Sequence, residues 1–248
     1  VSLEKWRFNM TNKTLMRQTI KSNLPLWLIL TGIQAVMVAL VAGAGTNLQQ
    51  TALAYYNMLP GLISAIYVIV TANKLIAGQV DKGTLAYVLS TPVKRSKAAI
   101  TQAVFFLGSL FLMFFISAGA HILSHYITAG SISLSEVETI LLLNLGLFVL
   151  NVALSGICYL TSCIFNLSKY VIAVGGGIVG AFIVLSIMSM FGESFHWMKN
   201  LTLVTLYDIN SVLANSSDFI WKFAVLAGVG AVTYLIGGAA FTKRDLPL

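Results

Sequence analysis

Charge is scarce in this chain. Asp, Glu, Lys and Arg make up 9% of its 248 residues, against roughly 25% in soluble domains. Hydrophobic residues make up 58%, more apolar surface than one soluble core of this size could hide. Lipid is therefore the expected solvent. Cysteine is nearly absent as well. Cys158 and Cys163 stand five apart within one apolar run, where they cannot easily pair, and no zinc spacing or disulfide framework exists. They read as small apolar fillers. No G-x-x-x-x-G-K-[ST] phosphate loop occurs, so ATP is not expected to bind here in that way. No catalytic set is visible, and neither cofactor nor metal is expected on this chain. Basic segments interleaved with exposed aromatics are lacking too, which argues against a nucleic-acid partner.

What the chain does have is long apolar runs. Six are long enough to cross a bilayer as helices: Pro25–Ala44, Tyr56–Ile76, Ala98–Tyr126, Val137–Phe165, Tyr170–Phe191 and Phe219–Phe241. Short alternating segments, the mark of a closed barrel, are not seen. The first run starts behind a polar, charged stretch, unlike a cleaved leader. The fold class expected is all-α: a polytopic membrane protein with six transmembrane helices. Residues 1–24, which mix Lys5, Arg7, Lys13, Arg17 and Lys21 with Trp6, Phe8, Leu15, Met16 and Ile20, suit an N-terminal amphipathic interfacial helix. Residues 25–248 form the six-span domain. Within it, residues 192–218 interleave apolar and polar side chains and read as short external helices at the membrane face.

The charges orient these spans. Thirteen of the fifteen Lys and Arg fall on one side: the five above, then Lys74, Lys82, Lys94, Arg95, Lys97, Lys169, Lys243 and Arg244. Lys199 and Lys222 fall on the other, with Glu136, Glu138, Glu193, Asp208 and Asp218. Basic residues gather on the cytoplasmic side, so both ends are expected in the cytoplasm.

Gly175-Gly176-Gly177-Ile178-Val179-Gly180 matches G-x-G-x-x-G literally. It lies inside the fifth span rather than between a strand and a helix, so the dinucleotide reading is rejected. Gly176 and Gly180 form G-x-x-x-G, and small residues let helices approach closely in lipid. A packing face, within the chain or between subunits, is the better reading. His121 and His125 share a helix face near the outer end of the third span. A metal is conceivable there with Glu136 or Glu138, but interfacial polar residues are the simpler reading. Ser133-Leu134-Ser135-Glu136 is a capping-box pattern that would start the fourth helix. Gln34, Asn73, Asn151 and Ser155 are the polar residues within spans, candidates for lining a path or for packing helices together.

The most informative stretch is the cytoplasmic loop 78–97. Leu85, Val88 and Leu89 share a face of a short amphipathic helix, which Pro92 should end at Thr91. Asp81-Lys82-Gly83-Thr84-Leu85 and Leu89-Ser90-Thr91-Pro92-Val93-Lys94-Arg95 resemble the loop after the second helix in membrane subunits of type-2 ABC transporters. The tail Phe241–Leu248 resembles that family's usual ending, and Leu201–Asp208 is similar in kind. The resemblance implies a non-catalytic permease subunit in a bacterial cell membrane. A separate ABC ATPase would hold ATP and Mg. Asp81, Lys82, Leu85, Val88, Leu89, Thr91, Pro92, Lys94 and Arg95 would form the coupling contact with it. A second permease subunit, identical or homologous, would complete the path. Similar small permeases of Gram-positive bacteria export amphipathic peptide toxins or confer resistance to antimicrobial peptides, so a hydrophobic or amphipathic substrate is expected. The alternative is a self-sufficient secondary transporter or channel.

Overall fold

The computed structural model describes residues 11–57, 59–83, 94–189, 191 and 193–243. Among these the fold is helical, without strands, and six helical stretches are long and apolar enough to cross a membrane. Helix α1 (Lys13–Gly43) starts at Asn12, whose side chain accepts from the Leu15 amide at 3.0 Å. Residues 13–24, expected as an interfacial helix, run without a break into the first span. The second span comprises α2 (Leu48–Tyr56) and α3 (Leu59–Leu75). It begins earlier than hydropathy alone marks, because the Asn47 side chain caps the helix, accepting from the amides of Gln49 and Gln50. That cap lets the polar Gln49, Gln50 and Thr51 stand as the first helical turn.

A five-residue helix α4 (Ala77–Asp81) follows, and then α5 (Arg95–Ala129) and α6 (Leu134–Ile164). Gly130, at φ 76°, ends α5 in the left-handed region that glycine enters without steric cost. The capping box at the start of α6 is formed. Ser133 Oγ accepts from the Glu136 amide at 3.3 Å, and Glu136 Oε2 accepts from the Ser133 amide at 2.7 Å. Both helices exceed the roughly 20 residues that a bilayer needs. The fifth span, α7 (Ser168–Met188), contains a π-helical turn over Ile172–Gly176. Two 3₁₀ stretches (Glu193–Leu201 and Leu203–Leu206) and α8 (Ile209–Leu213) precede the last span, α9 (Asp218–Lys243).

Six crossings leave residues 13 and 243 on one face, called here the basic face. The Asn12 amide bonds Thr101 Oγ1 there at 2.9 Å. Span α6 is the most enclosed: 61% of its most apolar window is buried, against 17% for α7. Its neighbour α9 approaches closely because glycines meet across the seam. A Cβ on Gly230 would stand 2.6 Å from Val152 Cγ1 and 3.1 Å from the Val152 backbone, and one on Gly156 would run into Thr233. Lipid offers no hydrophobic drive between helices, so this close van der Waals contact is what holds them. Large apolar side chains such as Ile29, Leu40, Phe115, Ile127 and Leu235 point outward, as a multi-pass membrane protein requires.

Candidate functional site

On the basic face the described ends of the 78–97 loop sit against the rest of the bundle. The chain turns sharply after α3, and the Ala77 amide donates to Ser162 Oγ on α6 at 3.1 Å. Asp81, the last residue of α4, accepts from the Ser168 amide at 3.3 Å. Gly78 lets the chain fold back on the end of α3, since a Cβ there would stand 2.9 Å from the Asn73 carbonyl oxygen. The loop is thus fastened to the turn that begins α7, just ahead of its π-helical stretch. Single π turns recur at functional positions in helices. Lys82 is exposed beyond α4, Lys94 is the N-cap of α5 and Arg95 is its first residue. Leu85, Val88, Leu89, Thr91 and Pro92 lie outside the described residues, as does the tail 244–248.

A second polar assembly lies in the other half of the bundle, toward the face opposite. Its members come from four elements far apart in sequence. Tyr56 Oη sits 2.8 Å from His121 Nδ1 and accepts from Asn144 Nδ2 at 2.6 Å. Asn144 Nδ2 also donates to the Ile140 carbonyl at 2.9 Å, which fixes which way its amide faces. Tyr55, edge-on to Tyr56, donates to the Gln34 backbone carbonyl at 3.3 Å and approaches Ser117 Oγ at 3.5 Å. One turn along α5, His125 Nε2 lies 3.6 Å from Glu136 Oε1. Both histidines are 1% exposed. Near the outer end of α5, they are enclosed by Tyr56 of α2 and by α6 rather than exposed. His121 Nε2, both amide atoms of Gln34 and Asn144 Oδ1 make no hydrogen bond to described residues. Polar groups are costly to bury, so this cluster is a concentration of polarity held inside the bundle. Among the described residues no three His, Cys, Asp or Glu side chains converge as a metal would need.

The remaining candidates are dispersed. Asn151 is fully buried and donates to the Leu147 carbonyl one turn back, while Ser155 accepts from Tyr234 of α9 at 2.9 Å. Asn73 is half-buried near the basic face. Gly176 packs against Ile69 of α3, where a Cβ would stand 3.1 Å from a methyl carbon, and Gly180 faces open space. Gly175 meets Thr161 of α6 instead. At the start of α9, Lys222 Nζ bonds Asp208 Oδ2 of the preceding external segment at 2.6 Å, and Ser211 donates to the same carboxylate through its amide and hydroxyl. Partial burial pushes the Asp208 carboxyl upward, but those donors outweigh it and hold the group below the ordinary aspartate value. No sequence motif marks Tyr55, Tyr56, Ser117 or Asn144. The available signal was the histidine pair itself, placed in an apolar run with no charge nearby. In comparisons with known proteins, the chain matches no family model and no curated sequence.

Proposed function

We propose that this chain is the membrane subunit of an ATP-driven ABC exporter in a bacterial cell membrane. In this reading the basic face is cytoplasmic, by the positive-inside rule. A separate ABC ATPase docks on loop 78–97, and two permease subunits form a path for a hydrophobic or amphipathic substrate, a peptide toxin or antimicrobial peptide being favoured. The chain itself hydrolyses nothing; ATP and Mg belong to the partner. The observation that carries the reading is the fastening of Asp81 to Ser168. It ties the family-like loop to the fifth span, so a push on the loop would be transmitted into the bundle rather than lost in a free hairpin.

The test is co-expression with candidate ATPase subunits, affinity purification, and ATP-dependent transport in proteoliposomes. Leu85→Asp should abolish ATPase association while the bundle's thermal unfolding stays unchanged. Failure of any ATPase to associate, together with undiminished transport by the variant, would sink the proposal. The buried His121–Tyr56–Asn144 cluster favours a second reading, a self-sufficient transporter, because ionisable groups within a membrane are expensive to keep and often mark ion pathways. Flux through the purified chain without ATP or partner would decide for it.

A further inference from the structure

The basic face carries a groove that loop docking does not use. It runs between the start of α5 and the end of α9 and holds about 400 Å³, within the roughly 300–1,000 Å³ of small-molecule sites. Ala99, Ile100, Ala103 and Val104 form one wall, with Leu235 and Ala239 forming the other. Its back is closed by Tyr159 and Tyr234, whose hydroxyls are committed to the Ala99 carbonyl and to Ser155 Oγ. The depth is therefore apolar, and only the mouth, at Ser96 and Thr242, is polar.

Charge singles out the occupant. Lys97 follows Ser96 and Lys243 follows Thr242, with Lys94 exposed at the N-cap of α5. Among the described residues the only acid on this face is Asp81, already bonded to the Ser168 amide. An apolar slot whose polar mouth is followed on both helices by a lysine suits an anionic phospholipid. The acyl chain would lie along Ile100 and Ala103, and the phosphate at the level of Lys97 and Lys243. Basic pockets between spans hold acidic headgroups in this way. A second copy of the chain fits worse. Two copies facing each other through this groove stand at the same depth, and their lysines would be set against each other. We infer that the α5–α9 groove is a specific binding site for an anionic phospholipid. This does not depend on the transport reading.

Native mass spectrometry of the purified full chain in detergent tests it. The probes are phosphatidylglycerol and phosphatidylcholine with identical acyl chains. One phosphatidylglycerol per chain should be retained, at least tenfold more tightly than phosphatidylcholine. Lys97→Gln and Lys243→Gln should each weaken it about fivefold, and Lys82→Gln, away from the groove, should not. Filling the slot should remove binding of either lipid. Ala103→Trp does this but risks the fold because Ala103 is half-buried; Ile100→Trp, at a 40% exposed position, blocks the same wall. A second groove of about 450 Å³, between α5 and α6, has Glu138 rather than lysines beside it. Leu141→Trp there should leave phosphatidylglycerol binding intact. Equal retention of the two lipids would overturn the inference. So would binding that survives Ile100→Trp, or spontaneous disulfide linkage of Ile100→Cys between copies.

Discussion

The closest helix contact offers the sharpest test of the fold. A Cβ added to Gly156 of α6 collides mainly with Thr233 Oγ1 on α9, while the Gly230 carbonyl oxygen and Thr233 Cβ stand farther off, at 3.2 and 3.3 Å. Gly156→Ala should gain about 1 kcal/mol from helix propensity and lose about 1–3 kcal/mol from overpacking. The net is a destabilisation of up to about 2 kcal/mol. Thr233→Ala removes the obstructing hydroxyl. That hydroxyl otherwise donates only to carbonyls of its own helix, at Val229 and Gly230, so the single change should cost little. In the double variant the alanine methyl at position 156 fills the space that Thr233 vacates. The two changes should therefore couple favourably by at least 1 kcal/mol, inside the 0.5–3 kcal/mol seen for contacting residues. Reversible unfolding in mixed dodecylmaltoside–dodecyl sulfate micelles, followed by far-UV circular dichroism, measures all four corners of the cycle. Gly228→Ala is the control, since nothing stands within 4 Å of a Cβ there; it should be neutral or stabilising. If the pair adds within about 0.5 kcal/mol, the two helices do not meet at these residues and the seam is misplaced.

Three further outcomes follow from other parts of the molecule. Tyr56→Phe strands both His121 Nδ1 and Asn144 Nδ2 from their shared partner, and should cost about 1–3 kcal/mol in the same assay; Tyr55→Phe, whose contacts are longer, should cost less. The Asp208–Lys222 pair should contribute about 0.5–1 kcal/mol at neutral pH. Because the folded carboxyl lies below its unfolded value, that contribution is complete above the ordinary aspartate range and disappears as pH falls through it to the folded value. A pH series from 6 to 2 should thus bring wild type and Asp208→Asn together at the acid end, and a gap that stays constant would refute the assignment. With both native cysteines buried, an impermeant maleimide should label Glu138→Cys from outside intact cells and Lys94→Cys only after lysis; the reverse pattern would invert the proposed topology.

The six spans were legible because a bilayer demands about 20 consecutive apolar residues, a constraint local to each segment. The cap of α6 was legible for the same reason, as Ser133 and Glu136 meet within one turn. The site at the histidines was not. His121 looks like an end-of-helix polar residue until Tyr56, 65 positions earlier, is placed against it. Asn144, 88 positions beyond Tyr56, completes the cluster only when α6 packs beside α2. The glycines show the same limit. Gly176 and Gly180 share the spacing of a packing motif, yet Gly156 and Gly230, which carry no such motif between them, make the tighter contact. Which glycine is pressed by a neighbour depends on how the helix is rotated about its axis, and that is decided by the partner's side chains.

Polar residues within the spans nonetheless carried information about place, beyond what hydropathy supplies. Asn144, Asn151, Ser155, Thr161 and Ser162 all lie on α6, and all are buried. A lipid-facing amide would be left without hydrogen-bond partners in hydrocarbon. A span holding two asparagines and several hydroxyls therefore has to be surrounded by other spans. Helix α6 is surrounded, by α3, α5, α7 and α9. The converse holds for α7, whose span from Ser168 to Met188 carries no amide side chain and is the least enclosed. Amide content ranks these two spans by enclosure, whereas glycine spacing alone does not say which glycine a neighbour presses hardest. The reason is energetic. An unpaired amide in lipid costs several kcal/mol, whereas a glycine facing lipid costs little, so the amides are far more tightly bound to their place in the bundle.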